Sequence, residues 1–218
     1  MTTVSQSKER ILAAAKELFL AGGYAATTVD AICEKAELTK GSFYYFFDSK
    51  EDLGLAVLDW SLRRSAQMLA SGPHAGIVDP VEKAFAFLEH LEKCSPELWS
   101  GGCLLGSFSM ELADTNSRVQ QVVAGMFQAL ADDFAEKLQP IADQCAGKQA
   151  PQASEFADTL LSIVEGSIIL AKAHRDPTRI PKAIRRFRLS LATLISIPES
   201  DGRTRLGKPI VKRAKAEN

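Results

Sequence analysis

Apolar positions along the chain recur at helical spacing almost from end to end. Ile11, Leu12, Ala15, Leu18 and Phe19 follow one helix stripe, and Gly22-Gly23 stops it. Thr28 is placed to cap a short second helix carrying Val29, Ile32, Cys33 and Ala36. A tight connection, "AELTKGS", then leads into the run Phe43-Tyr44-Tyr45-Phe46-Phe47. A longer helix is predicted from about Lys50, through Leu53, Leu55, Val57, Leu58 and Leu62, until "SGPHAG". Asp79-Pro80-Val81-Glu82 reads as a helix start, and Ser95-Pro96 as another. Gly101-Gly102 interrupts before "CLLGSFSMELAD". The clearest period runs from Val119 through Val123, Met126, Phe127, Leu130, Phe134 and Leu138 to Ile141, ending or kinking near Pro140. Two further helices are predicted near 152–175 and 178–197, split by Asp176-Pro177. No segment alternates with a period of two. The pattern predicts an all-α protein of about nine helices.

Composition narrows the function. With 218 residues, 46% apolar and 24% charged, the chain is long enough for one large or two unequal domains. Its net charge of −1 advertises no polyanion partner, so any nucleic-acid function must rest on a local patch. The N-terminus has no apolar signal-peptide core, and "TLLSIVEGSIILAKA", broken by Glu165, reads as a buried helix rather than a membrane span. Cys33, Cys94, Cys103 and Cys145 are scattered without metal-ligand spacing, as are His74, His90 and His174. Neither metal nor cofactor is expected, and the cysteine usage fits a reducing cytoplasm. The tail 198–218 carries six Lys or Arg against three acids, a basic segment that is either solubilising or an auxiliary phosphate-contacting arm.

Chemistry concentrates in the first fifty residues. At ~100° per residue, Phe43 and Phe47 share one face of a helix, while Tyr44 and Tyr45 point to the other side. The core-facing pair is hydrocarbon, and the outward pair carries hydroxyls that can donate to phosphate oxygens. Lys40 opens this helix, Gly41 lets a partner approach backbone, and Ser42 adds a small donor. Lys50 sits at the start of the next helix, where free N–H groups favour an anion. These residues make either a compact phosphate-binding surface or an aromatic mini-core with solvated lysines.

The block "ERILAAAKELFLAGGYAATTVDAICEKAELTKGSFYYFFDSKEDLGLAVL" closely resembles the DNA-binding domain of TetR-family transcriptional regulators, over residues 8 to 58. The resemblance implies a three-helix helix-turn-helix domain at 1–50 and an effector-binding and dimerisation domain at 51–197; the basic tail at 198–218, where the apolar pattern collapses, reads as flexible. It implies a recognition helix from Lys40 to Phe46 in the major groove. Thr28 and Val29 would meet phosphate and base, Lys40, Gly41 and Ser42 base and backbone, and Tyr44, Tyr45 and Lys50 phosphates. Phe46 stands where the family commonly has His. Glu37 stands where many members have Gly, and a left-handed Glu would cost ~1 kcal/mol or more.

Acids and bases balance in residues 1–50, so one copy should bind DNA weakly. Two copies on a palindromic operator, with recognition helices ~34–36 Å or more apart, would supply the missing affinity. The family's dimer uses its last two helices. Here the stripe Ile180, Ile184, Phe187, Leu191 and Leu194 is the expected interface, unless it packs inside its own subunit. The other helices should enclose an effector pocket, with Trp99, Cys103, Phe108, Met126, Phe127 and Glu165 as candidate lining. "GGCLLGSFSMELAD" resembles a branch of the family that includes the repressor of N-ethylmaleimide reductase. A Cys at a helix N-terminus there gains a lowered pKa from the helix end. Two switches therefore stand open: an apolar or aromatic effector bound non-covalently, or oxidation or electrophile modification of Cys103. The expectation is a non-enzymatic, dimeric, cytoplasmic DNA-binding regulator, a repressor by resemblance. Its alternative from another class is a helical protein-interaction module without DNA binding.

Overall fold

The computed structural model describes residues 3–99, 101–145 and 150–195; the basic tail lies outside them. Among the described residues there are nine α-helices and one short 3-10 turn, and no strand. The helices are α1 (Thr3–Gly22), α2 (Val29–Ala36), α3 (Lys40–Phe46), α4 (Lys50–Ala70), α5 (Pro80–Trp99), α6 (Leu104–Leu112), α7 (Ser117–Ala142), α8 (Ala153–His174) and α9 (Arg179–Ile195).

Short polar side chains start the N-terminal helices. Thr28 Oγ1 accepts from the Ala31 amide at 3.1 Å, Thr39 Oγ1 from Ser42 at 3.2 Å, and Ser49 Oγ from Asp52 at 3.0 Å. Asp79 Oδ1 likewise accepts from Glu82 at 2.8 Å, as the sequence predicts. Ser95-Pro96 behaves otherwise: α5 runs through it. Proline removes the amide that would bond the Glu92 carbonyl. Ser95 Oγ donates to that carbonyl at 2.8 Å, so the freed acceptor is satisfied within the helix.

Glu37 ends α2 at φ 52°, ψ 46°, in the left-handed region. Arg10 holds it, with Nη2 2.9 Å from its carboxylate, but both side chains are largely exposed and the pair is worth little. Glu37→Gly should therefore raise stability by about 0.5 kcal/mol, since the relieved backbone strain exceeds the lost pair and the added chain entropy. Urea unfolding reads this directly, and an unchanged midpoint would contradict it.

Two apolar cores form. The first gathers Ile11, Ala15 and Phe19 of α1, Ile32 and Ala36 of α2, and Phe43 and Phe47 around α3. It does not close at residue 50. Leu53, Val57 and Leu58 of α4, Leu105 and Phe108 of α6, and Val119 and Val123 of α7 complete it. The second core joins Phe87, Leu88 and Leu91 of α5 with Phe134 and Leu138 of α7, Leu160 and Val164 of α8, and Ile184 and Phe187 of α9. Helices α4 and α7 thus span both cores, and Cys103 touches both. An interior cavity opens at that junction.

Candidate nucleic-acid interface and interior cavity

Helix α3 divides its aromatics by chemistry. Phe43 is 0% exposed and Phe47 5%, whereas Tyr44 is 56% exposed and Tyr45 74%. Phe46 is half-buried against the first core, its ring perpendicular to that of Tyr45 at 4.9 Å between centroids. It props the outward tyrosine. Gly41 is exposed, and a Cβ there would meet nothing nearer than Thr39 Oγ1 at 3.6 Å. The fold does not require glycine at that point, while a partner approaching the backbone would. Ser42 Oγ lies 3.1 Å from Thr39 Oγ1. Thr28 is exposed and Val29 half-buried. Lys40 pairs with Asp30 at 2.6 Å, which raises its pKa, and remains on the surface.

Lys50 departs from expectation. Its Nζ donates to the carbonyls of Tyr24 (3.1 Å), Ala25 (3.3 Å) and Thr27 (3.0 Å), and sits 4.5 Å above the Tyr24 ring. An ammonium has three donors. All are used within the chain, so Lys50 staples the α1–α2 loop rather than facing a phosphate.

The interior cavity measures about 280 Å³ and lies among α1, α4, α5, α6, α7 and α8. Its wall is chiefly apolar, with Leu58, Leu62, Leu69, Trp99, Leu130 and Phe134 contributing. Cys103, Glu165 and Lys16 also line it, and Lys16 is not among the groups that perturb Glu165. Glu165 lies in apolar surroundings that raise its pKa, against which the Cys103 thiol donates a hydrogen bond. The thiol is pushed up to about 12, by burial first and by the Glu165 charge second. Cys103 caps α6, and its sulfur accepts from the Gly106 amide at 3.5 Å. That helix end does lower the pKa, but desolvation wins.

Of the other pocket candidates, Phe108 is buried against Phe19 and Tyr24, and Met126 and Phe127 pack on the first core. None of the three is among the residues that line the cavity.

Burial beside Glu165 therefore keeps Cys103 protonated at neutral pH. Alkylation of native Cys103 at neutral pH should be correspondingly slow and should become fast on unfolding. Linkage gives a second readout. The folded pKa lies above the unfolded value of 9.0, so the thiol's contribution is complete below pH 9 and is lost as pH rises toward 12. Cys103→Ala should flatten that alkaline loss, and an unchanged slope would contradict it.

The pattern defining "Bacterial regulatory proteins, tetR family" matches residues 11–57, and that of "Transcriptional regulator LmrA/YxaF-like, C-terminal domain" matches residues 80–186. The chain belongs to the TetR family. It is similar to the transcriptional repressor DhaR of Mycobacterium sp. (strain GP1), 26% identical over 170 residues, covering 78% of this chain and 84% of that one. It is also similar to the repressor NemR of Escherichia coli (strain K12), 26% identical over 122 residues, 56% and 61% of the two chains. A TetR regulator structure from Chloroflexus aurantiacus superposes with a TM-score of 0.73 at 26% identity, covering 88% and 96%. TetR proteins are DNA-binding transcriptional regulators, not enzymes. No helix among the described residues is long and apolar enough to cross a membrane.

Within this TetR chain the expected dimer stripe turns inward. Ile180, Ile184, Phe187 and Leu191 are buried in their own subunit, and only Leu194 of that set is exposed. The main apolar face of α9 packs in the second core with α5 and α8. Arg188 joins them through Glu92 at 2.9 Å. The outward apolar residues of the last two helices are instead Ile169, Leu170, Leu189 and Leu194. Gly166 lies beside them on α8, and a Cβ there would meet nothing within 4 Å.

Glu111, in the last turn of α6, belongs to no motif of the sequence. Its Oε1 accepts from the Tyr24 amide and Oε2 from the Ala25 amide, each at 3.0 Å. The loop that Lys50 holds by its carbonyls is thus held by its amides from α6. Arg118, opening α7, likewise meets Glu51 (2.8 Å) and Asp52 (3.2 Å) of α4. A lone Glu in an amphipathic helix carries no spacing signal that would reveal a contact 87 residues away.

Proposed function

We propose that the chain is a cytoplasmic repressor that binds a palindromic operator as a homodimer and leaves it when a small apolar or aromatic molecule occupies the interior cavity. The observation that carries the DNA side is the outer face of α3, where Tyr44 and Tyr45 are exposed beside a glycine that the fold does not need. Thr28, Val29, Lys40, Gly41, Ser42, Tyr44 and Tyr45 form the contacting set, with Lys50 supporting the loop behind it. Lys40 would exchange Asp30 for phosphate. Dimerisation uses the outward face of α8 and α9, which carries the exposed Ile169, Leu170, Leu189 and Leu194, and where Gly166 leaves open space for a close helix approach. The cavity supports a non-covalent effector over modification of Cys103, whose thiol is held protonated.

Fluorescence anisotropy against DNA upstream of the chain's own gene tests this at several stated salt concentrations. Specific binding of two protomers, steeply salt-dependent and weakened by Tyr45→Ala, is expected. No preference over random DNA at any salt would overturn it and favour a protein-interaction module.

A further inference from the structure

Glu165 is a carboxylate placed in an apolar cavity without a counter-charge. Among the described residues no cation pairs with it. Of the other charged groups lining the cavity, Lys137 pairs with Asp133, and Lys16 lies by Arg64. The Cys103 thiol is its hydrogen-bond donor, and a thiol is a weak one. A carboxylate offers about four acceptor positions, so most of its capacity is unused.

Helix α6 leaves room for this group at Gly106. A Cβ on Gly106 would stand 2.7 Å from Glu165 Oε2. A side chain at position 106 would make the Glu165 carboxylate shift, so glycine lets it lie directly against α6. Leu161 and Val164 border the cavity next to Glu165 on α8, so burial is not forced by a polar neighbourhood. Burying an unpaired charge is costly, and a cation entering the cavity would offset that cost.

We propose that the cavity takes a small organic ammonium, its nitrogen on the Glu165 carboxylate and its apolar body along the wall that includes Trp99. This rests on reading the cavity as the effector site. Trp99 lines the cavity, an indole is the aromatic best suited to a cation, and about 280 Å³ lies at the small end of ligand cavities. The Lys16 amine, on α1, opposes a second positive charge and orients the ligand with its cationic end toward α8.

Isothermal titration of the full chain, without DNA, against phenylpropylamine, phenylpropanol and phenylpropionate tests the charge order. The amine should bind about tenfold or more tightly than the alcohol, and the acid most weakly. Glu165→Gln should bring the amine down to the level of the alcohol while keeping a cooperative melt. Gly106→Ala, which displaces the carboxylate rather than deleting it, should narrow the same gap. Equal binding of all three, no binding of any, preference for the acid, or an amine preference that survives Glu165→Gln would each overturn the proposal. Operator binding by the same protein without a probe tests the regulator reading separately, so the two failures are distinguishable.

Discussion

Phe108→Ala is expected to cost about 3–5 kcal/mol of folding free energy and to weaken operator binding, although Phe108 lies more than sixty residues beyond α3. Its side chain is 1% exposed and fills the point where four elements meet. The ring stands edge-on to Phe19 of α1 at 5.6 Å and tilted against Tyr24 of the α1–α2 loop at 5.0 Å. From α4, Gly54 presses so closely that a Cβ would come within 3.0 Å of Tyr24 and 3.1 Å of Phe108. Alanine would leave a cavity lined by two unsupported rings and a bare helix backbone. The first core would lose the anchor that positions α1 and α4 around the recognition helix. Chemical denaturation gives the stability loss, and anisotropy the loss of affinity. Phe108→Leu should cost markedly less, since it refills most of the volume. A loss under 1 kcal/mol for the alanine variant would show that the knot collapses without harm.

Helices were legible where a local rule writes them. Asp79 before Pro80, Thr28 before the Val29–Ala36 stripe, and glycines at 22, 23, 101 and 102 each mark an end through backbone chemistry of neighbouring residues. The aromatic run was legible as well, because hydrocarbon and hydroxylated rings separate by helical angle. Ser95-Pro96 misled because its two halves compensate each other inside α5. The α9 stripe misled for a different reason. Periodicity reports that Ile184 and Phe187 share a face, and is silent on whether that face meets its own core or a second chain. Phe108, Met126 and Phe127 show the same ambiguity between core and cavity. Cys103 misled through magnitude: its helix end pulls the pKa down, and burial beside Glu165 pulls harder the other way. Lys50 and Glu111 could not be assigned, since contacts with a loop more than twenty residues away leave no trace in spacing.

Glu111→Ala should separate the two halves of the molecule while leaving both folded. Helix α6 begins at the cavity, where Cys103 caps it and Gly106 abuts Glu165, and carries Glu111 in its last turn, roughly 12 Å beyond Cys103. Glu111 accepts both amides at the start of the α1–α2 loop, and Lys50 gathers three of that loop's carbonyls. The loop leads straight into Thr28, the cap of α2. A ligand that moves the cavity end of α6 therefore has a short, charge-assisted path to the DNA-binding helices. Removing Glu111 strands two amides, one of them part-buried, at a cost of about 2 kcal/mol. Operator affinity should fall about tenfold, because the loop can then sample orientations that misplace α2 and α3. Release of operator by a cavity ligand should weaken further, since the link that transmits it is gone. Glu111→Gln keeps only one acceptor oxygen and should fall between wild type and alanine. Both quantities can be read from one anisotropy titration with and without ligand. Wild-type affinity together with wild-type release in Glu111→Ala would place the coupling elsewhere, at the Arg118 contacts with Glu51 and Asp52 that join α7 to α4.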